Sequence, residues 1–167
     1  MMGGMESSKV TLRRMTEAEY TEATRDREAA GARELGKFMP DEEAWKRARH
    51  GTAQFLPAGR DTEGHHLVVA VNASGEVVGN AWIGPDPRDT TGTAESAWLY
   101  DINVHEPFRR RGYGSAILAA VEDLIAGEGR TRLGLNVVGD NAAAIALYRR
   151  NGYQVSSMHL DKQLRSE

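Results

Sequence analysis

Residues 100–118 read YDINVHEPFRRRGYGSAIL, and the change of texture along them decides what kind of fold the chain can have. The first five residues continue a run that begins AWLYDINV at Ala97, long and apolar enough for a central strand. From Gly114 onward Ile117, Leu118, Val121, Leu124 and Ile125 recur at helical spacing until Gly127, so a helix follows and glycine ends it. Between strand and helix lie three consecutive arginines and two glycines one residue apart. A strand-to-helix turn aims unpaired backbone N–H groups at one point, and the helix dipole adds positive potential there. Gly112 and Gly114 permit close backbone approach or positive φ, and Arg109, Arg110 and Arg111 can neutralise phosphate charge. The spacing is not that of a Walker loop, which needs Gly-Lys-Ser/Thr, nor GxGxxG, because Ile117 stands three residues after Gly114. Read alone, FRRRGYGS at 108–115 is either an anion loop or a solvated turn.

The flanks narrow the choice. Upstream, HLVVAVN, ASGE and VVGNAWIG between His66 and Gly84 read as an antiparallel hairpin with a tight turn. That turn also explains the formal glycosylation sequon at Asn72 and Ser74. Val10 to Arg13 is a short strand, and Thr16 with Glu19 forms a capping box that opens a helix through about Glu34. A second helix covers DEEAWKRARH from Asp41, and GTAQFLPAGRDTEGH after it reads as a loop. Downstream, RLGLNVV is a strand, NAAAIALYRRNG a helix closing on Asn151 and Gly152, and YQVSSMHL a last strand. A hairpin and strand followed by alternating helix and strand imply an α/β chain with a mixed sheet and helices packed on it. The expected organisation is one domain over 9–167 preceded by a flexible N-terminus over 1–8.

Composition removes several classes of function. With 24 acidic against 21 basic residues and a net charge of -3, the chain lacks the basic excess of a nucleic-acid binder, so the arginines are a local feature. No cysteine is present, which excludes thiolate nucleophiles, disulfides and Cys-type zinc sites. The N-terminus has no signal-peptide pattern and no apolar run approaches a membrane span, so a cytoplasmic protein without a membrane partner is expected. His65 and His66 would point to opposite faces of a strand, and His50, His105 and His159 are scattered, so no metal is expected. Trp45, Trp82 and Trp98 read as core or cleft-wall residues.

Over residues 97–157 the order of motifs closely resembles the GNAT superfamily of CoA-dependent N-acyltransferases. The family pattern Arg/Gln-x-x-Gly-x-Gly/Ala after the fourth strand is matched by Arg109, Gly112 and Gly114; its second motif, an Asn opening a helix that carries LY and ends in NGY, is matched by Asn141, Leu147, Tyr148, Gly152 and Tyr153. The resemblance implies the GNAT fold: a central, mostly antiparallel sheet that splays between its fourth and fifth strands, with helices on both faces. It implies acetyl-CoA as co-substrate, held by the backbone of Ile102, Asn103 and Val104, by the loop Arg109, Arg110, Arg111, Gly112, Tyr113, Gly114 and Ser115, and by Asn136, Asn141, Ala144 and Tyr148. The N-terminal 60 residues match only in outline, and they are where the family varies with substrate. Asn141 and Tyr148 are seven residues apart with small Ala144 between, so on a helix they share a face that either lines a channel or serves as N-cap and core aromatic.

N-acylation from a thioester needs a neutral amine, a polarised carbonyl and a protonated leaving thiolate. Alternation puts Ile102 and Val104 on one face of the strand and Asp101 and Asn103 on the other. With the apolar pair toward the core, Asp101 would face the substrate cleft as the base, Glu95 being a second candidate and no base at all a third. Backbone N–H groups near Val104 would polarise the carbonyl, and Tyr148, as the resemblance implies, would protonate the thiolate, its phenol near pKa 10 against a thiol near about 8.5. The expected activity is acetyl transfer to a primary amine of a small molecule or protein through a tetrahedral intermediate. Rival readings are an acyl-CoA sensor without catalysis and a small nucleic-acid binder built on the arginines. A homodimer is compatible with the sequence. The surplus of acid lies before residue 101, with 16 acidic and 12 basic residues, which suits a cationic amine approaching that half.

Overall fold

The capping box read at Thr16 is the hinge between the first strand and the first helix. β1 (Thr11–Arg14) leads into α1 (Glu17–Leu35), where Thr16 Oγ1 accepts from the Glu19 N–H at 3.1 Å and the Glu19 carboxylate accepts from the Thr16 N–H at 2.9 Å. Arg13 adds two hydrogen bonds to the same carboxylate, at 2.8 and 3.0 Å. The Arg13 guanidinium, opposed by partial burial and helped by the cap, holds the Glu19 carboxyl down to about 2. The computed structural model describes residues 9–165, so the N-terminus over 1–8 lies outside the described residues.

The described residues fall into two compact units, one ending at Asn136 and one beginning at Val137. In the first, α2 (Asp41–Phe55) is five residues longer than its sequence pattern suggested, because Gly51 sits on an open helix face with nothing near it and a helix tolerates it there. A five-stranded sheet follows the order β1-β2-β3-β4-β5, with β2 (His66–Val71), β3 (Val77–Pro85), β4 (Ser96–Val104) and β5 (Arg132–Leu135). All neighbours are antiparallel except β4 and β5, which are parallel and joined through α3 (Tyr113–Gly127). Asn72 closes the β2–β3 turn: its Oδ1 accepts from the Ser74 and Glu76 amides, and Gly75 takes φ 84°.

Both faces of the sheet are covered. Gly79 of β3 looks at α3, where a Cβ would come 2.9 Å from Ile117 Cδ1, and α3 buries Ile117, Leu118, Val121 and Ile125. Each such side chain contributes roughly 1.5–3 kcal/mol of transfer free energy. The opposite face carries Leu67, Val69 and Trp82, clustered with Met15 and Leu56 and packed against Tyr20 and Ala23 of α1 and Phe55 of α2.

Two irregularities in β4 shape everything near its end. Trp82 pairs with Asp101 but Ile83 pairs with Leu99, so Tyr100 is an inserted residue and both Tyr100 and Asp101 stand on the α1/α2 face. On its other edge β4 pairs with β5 only from Ser96 to Leu99. Beyond that point the edge has no strand partner among the described residues. This is the splay between the fourth and fifth strands.

In the second unit, α4 (Ala142–Arg150) starts on Asn141, whose Oδ1 accepts from the Ala144 N–H at 3.2 Å, and stops at Gly152, which takes φ 91°. The strands expected downstream are shorter or absent: β5 ends at Leu135 rather than Val138, and 153–160 form no strand. Ser156 and Ser157 break the two-residue alternation, and Met158 and Leu160 stay 70 % and 82 % exposed. Without a partner edge an extended segment gains no ladder hydrogen bonds.

Glu19 yields a pH prediction. Its folded pKa of about 2 lies below its ordinary 4.5, so the ionised form stabilises the fold. That stability is present above pH 4.5 and lost as pH falls toward 2. Glu19→Gln should lower stability at pH 7 by about 1–2 kcal/mol and flatten this part of the acid limb, read by urea unfolding over a pH series.

Candidate functional site

β4 leaves the sheet at Val104, and the loop behind it is built mostly from backbone. The His105 amide donates to Val78 O at 2.8 Å, and one turn of tight helix over Glu106–Phe108 brings the chain back. Arg109 Nε then donates to Val104 O at 2.9 Å, tying the loop to the strand end. Arg109 is expected to help neutralise phosphate charge; its Nε is spent on the loop itself, which leaves the two amino groups for that purpose. Arg110 takes φ 63° and Gly112 φ 83°, and Arg111 lies against the Phe108 ring at 5.8 Å. A left-handed arginine is uncommon and marks a backbone held in place by its surroundings.

Gly112 is the N-cap of α3 and offers no side chain to cap it. The amides of the first turn, with the helix dipole behind them, face outward beside three exposed arginines. Tyr113 is fixed from both sides: its ring meets Phe108 edge-on at 6.0 Å and its hydroxyl accepts from Asn72 Nδ2 at 3.3 Å. Arg109 to Ser115 therefore form one anion-attracting loop, and the unpaired edge of β4 runs directly into it. Ile102 and Val104 turn their backbone groups to that edge, whereas the expected Asn103 turns its own toward β3, because successive strand residues face opposite edges. These features suit a CoA co-substrate. A diphosphate fits the uncapped helix start and the arginines, and a chain of amides fits an unpartnered strand edge.

The alternation read from sequence holds from Asp101 to Val104, but the face that Asp101 occupies is itself packed. Asp101 stands beside Trp82 under α1. Burial pushes its carboxyl above the usual range, while the charge of Arg27 and a hydrogen bond from the Ile102 backbone pull it back. Glu95 is exposed and lies before β4 begins, six residues from Asp101, about 20 Å at strand rise. In the second unit Asn141, Ala144 and Tyr148 lie together along α4, with Tyr148 edge-on to Tyr153 at 5.8 Å and its carbonyl accepting from the Tyr153 N–H at 3.0 Å. Asn136 is exposed, one residue past β5.

Sequence reasoning placed Trp82 only as a core or cleft-wall residue and did not find its surroundings. Trp82 stacks on Tyr100 at 4.5 Å and 13°, Phe55 sits 5.3 Å from Tyr100, and the Arg27 guanidinium lies 4.6 Å above Trp82. Burial pushes the His65 imidazole below its ordinary value and so favours the neutral ring, whose Nδ1 accepts from Trp82 Nε1 at 2.9 Å. Tyr100 donates its hydroxyl to Pro85 O at 2.6 Å. The stack depends on the inserted Tyr100, which a two-residue period cannot reveal. Among the described residues, no three His, Asp or Glu side chains are grouped as a metal ion would need.

Three comparisons with known proteins bear on this arrangement. Residues 20–153 match the model of the acetyltransferase (GNAT) family. The uncharacterized N-acetyltransferases YycN and YdgE of Bacillus subtilis are 30 % and 29 % identical over 77 % and 74 % of this chain, and 80 % and 77 % of their own lengths. The crystal structure of YycN superimposes with a TM-score of 0.84 at 27 % identity, covering 95 % of this chain and all of that one. At 16 % identity the fold alone is shared with AAC(6')-Iy, solved with the bisubstrate analog CoA-S-monomethyl-acetylneamine, at a TM-score of 0.57 over 94 % of this chain and 99 % of that one.

The left-handed conformation at Gly112 sets an expectation that needs no ligand. Gly112→Val should cost about 1–2 kcal/mol of unfolding free energy through its positive φ alone, measured by denaturant unfolding.

Proposed function

The chain belongs to the GNAT family of acetyltransferases, and from that premise we propose that it transfers the acetyl group of acetyl-CoA directly to a primary amine of a small molecule or protein. The observation that carries this reading is the unpaired edge of β4 running into the arginine loop at the uncapped start of α3. Acetyl-CoA supplies the activated thioester. In this reading the amides of Ile102 and Val104, with Asn103 between them turned toward β3, hydrogen-bond the thioester carbonyl and the pantetheine chain, fixed donors that need no reorganisation as negative charge develops. Arg109, Arg110 and Arg111 and the amides of Gly112, Tyr113, Gly114 and Ser115 hold the diphosphate. The family motif assigns Asn136, Asn141 and Ala144 to the cofactor and Tyr148 to protonation of the departing thiolate.

Asp101 is proposed as the acceptor of the amine proton. Its raised affinity for a proton makes its ionised form a stronger base than an ordinary carboxylate, and Arg27 keeps that form accessible. Glu95 is set aside, because it is exposed and precedes β4, whereas Asp101 stands within the strand beside Trp82. The collapse of the tetrahedral adduct then breaks the C–S bond: the amine's proton passes to Asp101 and the Tyr148 proton to the CoA thiolate. Exchange with water takes the proton off Asp101 and restores one to the Tyr148 phenolate before the next turnover. A neighbour that shares the fold, AAC(6')-Iy, was solved with the bisubstrate analog CoA-S-monomethyl-acetylneamine, which supports this reading.

Turnover is read as free thiol released from acetyl-CoA across a panel of amines. Tyr148→Phe should lower kcat about a hundredfold and leave CoA affinity within about twofold by calorimetry. Gly112→Val should instead weaken CoA binding by about tenfold or more. Thiol release from no amine, with CoA binding intact, would point to a sensor domain.

A further inference from the structure

Arg27 is the charge on the α1/α2 face to which the acetyl-transfer chemistry gives no ligand, only a through-space effect on Asp101. It projects from α1 onto the face of Trp82, the residue registered opposite Asp101. Its one hydrogen bond among the described residues is from Nη2 to Thr24 Oγ1 at 3.3 Å, and none of the described carboxylates closes a salt bridge with it. A guanidinium carries five donors in a planar fork. Burial works against its charge, and Asp101, Tyr20 and Glu28 act on it only through space. A desolvated cation without an ion pair is costly unless something supplies the anion.

The surroundings say what that anion accompanies. On a face otherwise made of Met15, Leu56, Leu67, Val69 and aromatic rings, the register puts Asn80 opposite Asn103 and Trp82 opposite Asp101. This makes a polar lane on the same side of the sheet as Arg27. Asn80 is buried, and its Nδ2 has only a 3.5 Å approach to His105 Nε2. The lane lies along the half of β4 whose edge is unpaired, where the proposed thioester carbonyl would sit. It therefore offers a cation, a carboxylate and amide groups over an aromatic floor.

We propose that Arg27 determines acceptor specificity: the acceptor is an amine that also bears a carboxylate, with the carboxylate on the Arg27 fork and the amine beside Asp101. A carboxylate suits the site because a single planar fork matches its two oxygens, whereas a phosphate brings more charge than one guanidinium neutralises. This inference rests on the acetyl-transfer reading and fixes the acceptor class within it.

The test compares matched acceptors with and without the carboxylate: alanine with ethylamine, phenylalanine with phenethylamine, lysine with cadaverine. In the wild-type protein kcat/KM for the carboxylate-bearing member of at least one pair should be higher by about tenfold or more, carried mainly by KM, the size of a charge-assisted hydrogen bond. Arg27→Gln should bring that ratio to within about threefold, and Arg27→Lys should keep part of it. A wild-type preference for the plain amine in all three pairs overturns the proposal, and so does an unchanged ratio in Arg27→Gln; the first of these needs no variant to fold. If no amine releases thiol while acetyl-CoA still binds, the acetyl-transfer reading fails separately. Calorimetric titration of the same three amino acids into CoA-bound protein then decides: binding that Arg27→Gln loses supports the anion site, and no binding to the wild type overturns it.

Discussion

A central strand normally satisfies its backbone on two edges, and β4 does so along only half of its length. It pairs with β3 from Ala97 to Val104, and with β5 only as far as Leu99. The proposed acetyl transfer hangs on that mismatch. Buried or half-buried amides seek partners, so an edge that stops pairing inside a sheet offers a row of donors and acceptors to whatever lies against it. The loop beyond Val104 extends the same property. It satisfies itself sparingly, with Arg109 bonded to Val104 O, and leaves the start of α3 uncapped.

The opposite side of the sheet is governed by the inserted residue in β4. Tyr100 lets the strand keep its register with β3 while adding a ring to the face of Trp82 and leaving Asp101 beside it. Asp101 and Arg27 oppose one another's desolvation without closing an ion pair. Burial raises the one carboxyl and lowers the one guanidinium, and each charge partly offsets the other's loss of water. Such half-compensated charge is expensive for stability alone and suits a place where a ligand completes the balance.

Much of the local structure was legible from residue order. The Thr16–Glu19 capping box, the Asn72 turn and the Asn141 start of α4 each rest on chemistry between residues a few positions apart, and each forms as read. Errors fell where a segment depends on distant partners. Residues 51–55 continue α2 because helix packing outweighs one glycine, and 153–160 stay irregular because strand propensity without an edge gains no hydrogen bonds. The loop's charge was visible, but the use of Arg109 to bind its own strand was not.

By itself the sequence determined the family, the mixed sheet with its covering helices, and the position of the arginine loop between strand and helix, because periodicity, caps and short motifs act over a few residues. Only the tertiary structure decided where β5 stops pairing, that Tyr100 is inserted, and that Arg27 comes to rest on Trp82 opposite Asp101. Arg27 and Asp101 are 74 residues apart, and no pattern of period two or 3.6 spans that distance. Their meeting follows from the packing of α1 against a sheet whose register is set by hydrogen bonds from other strands.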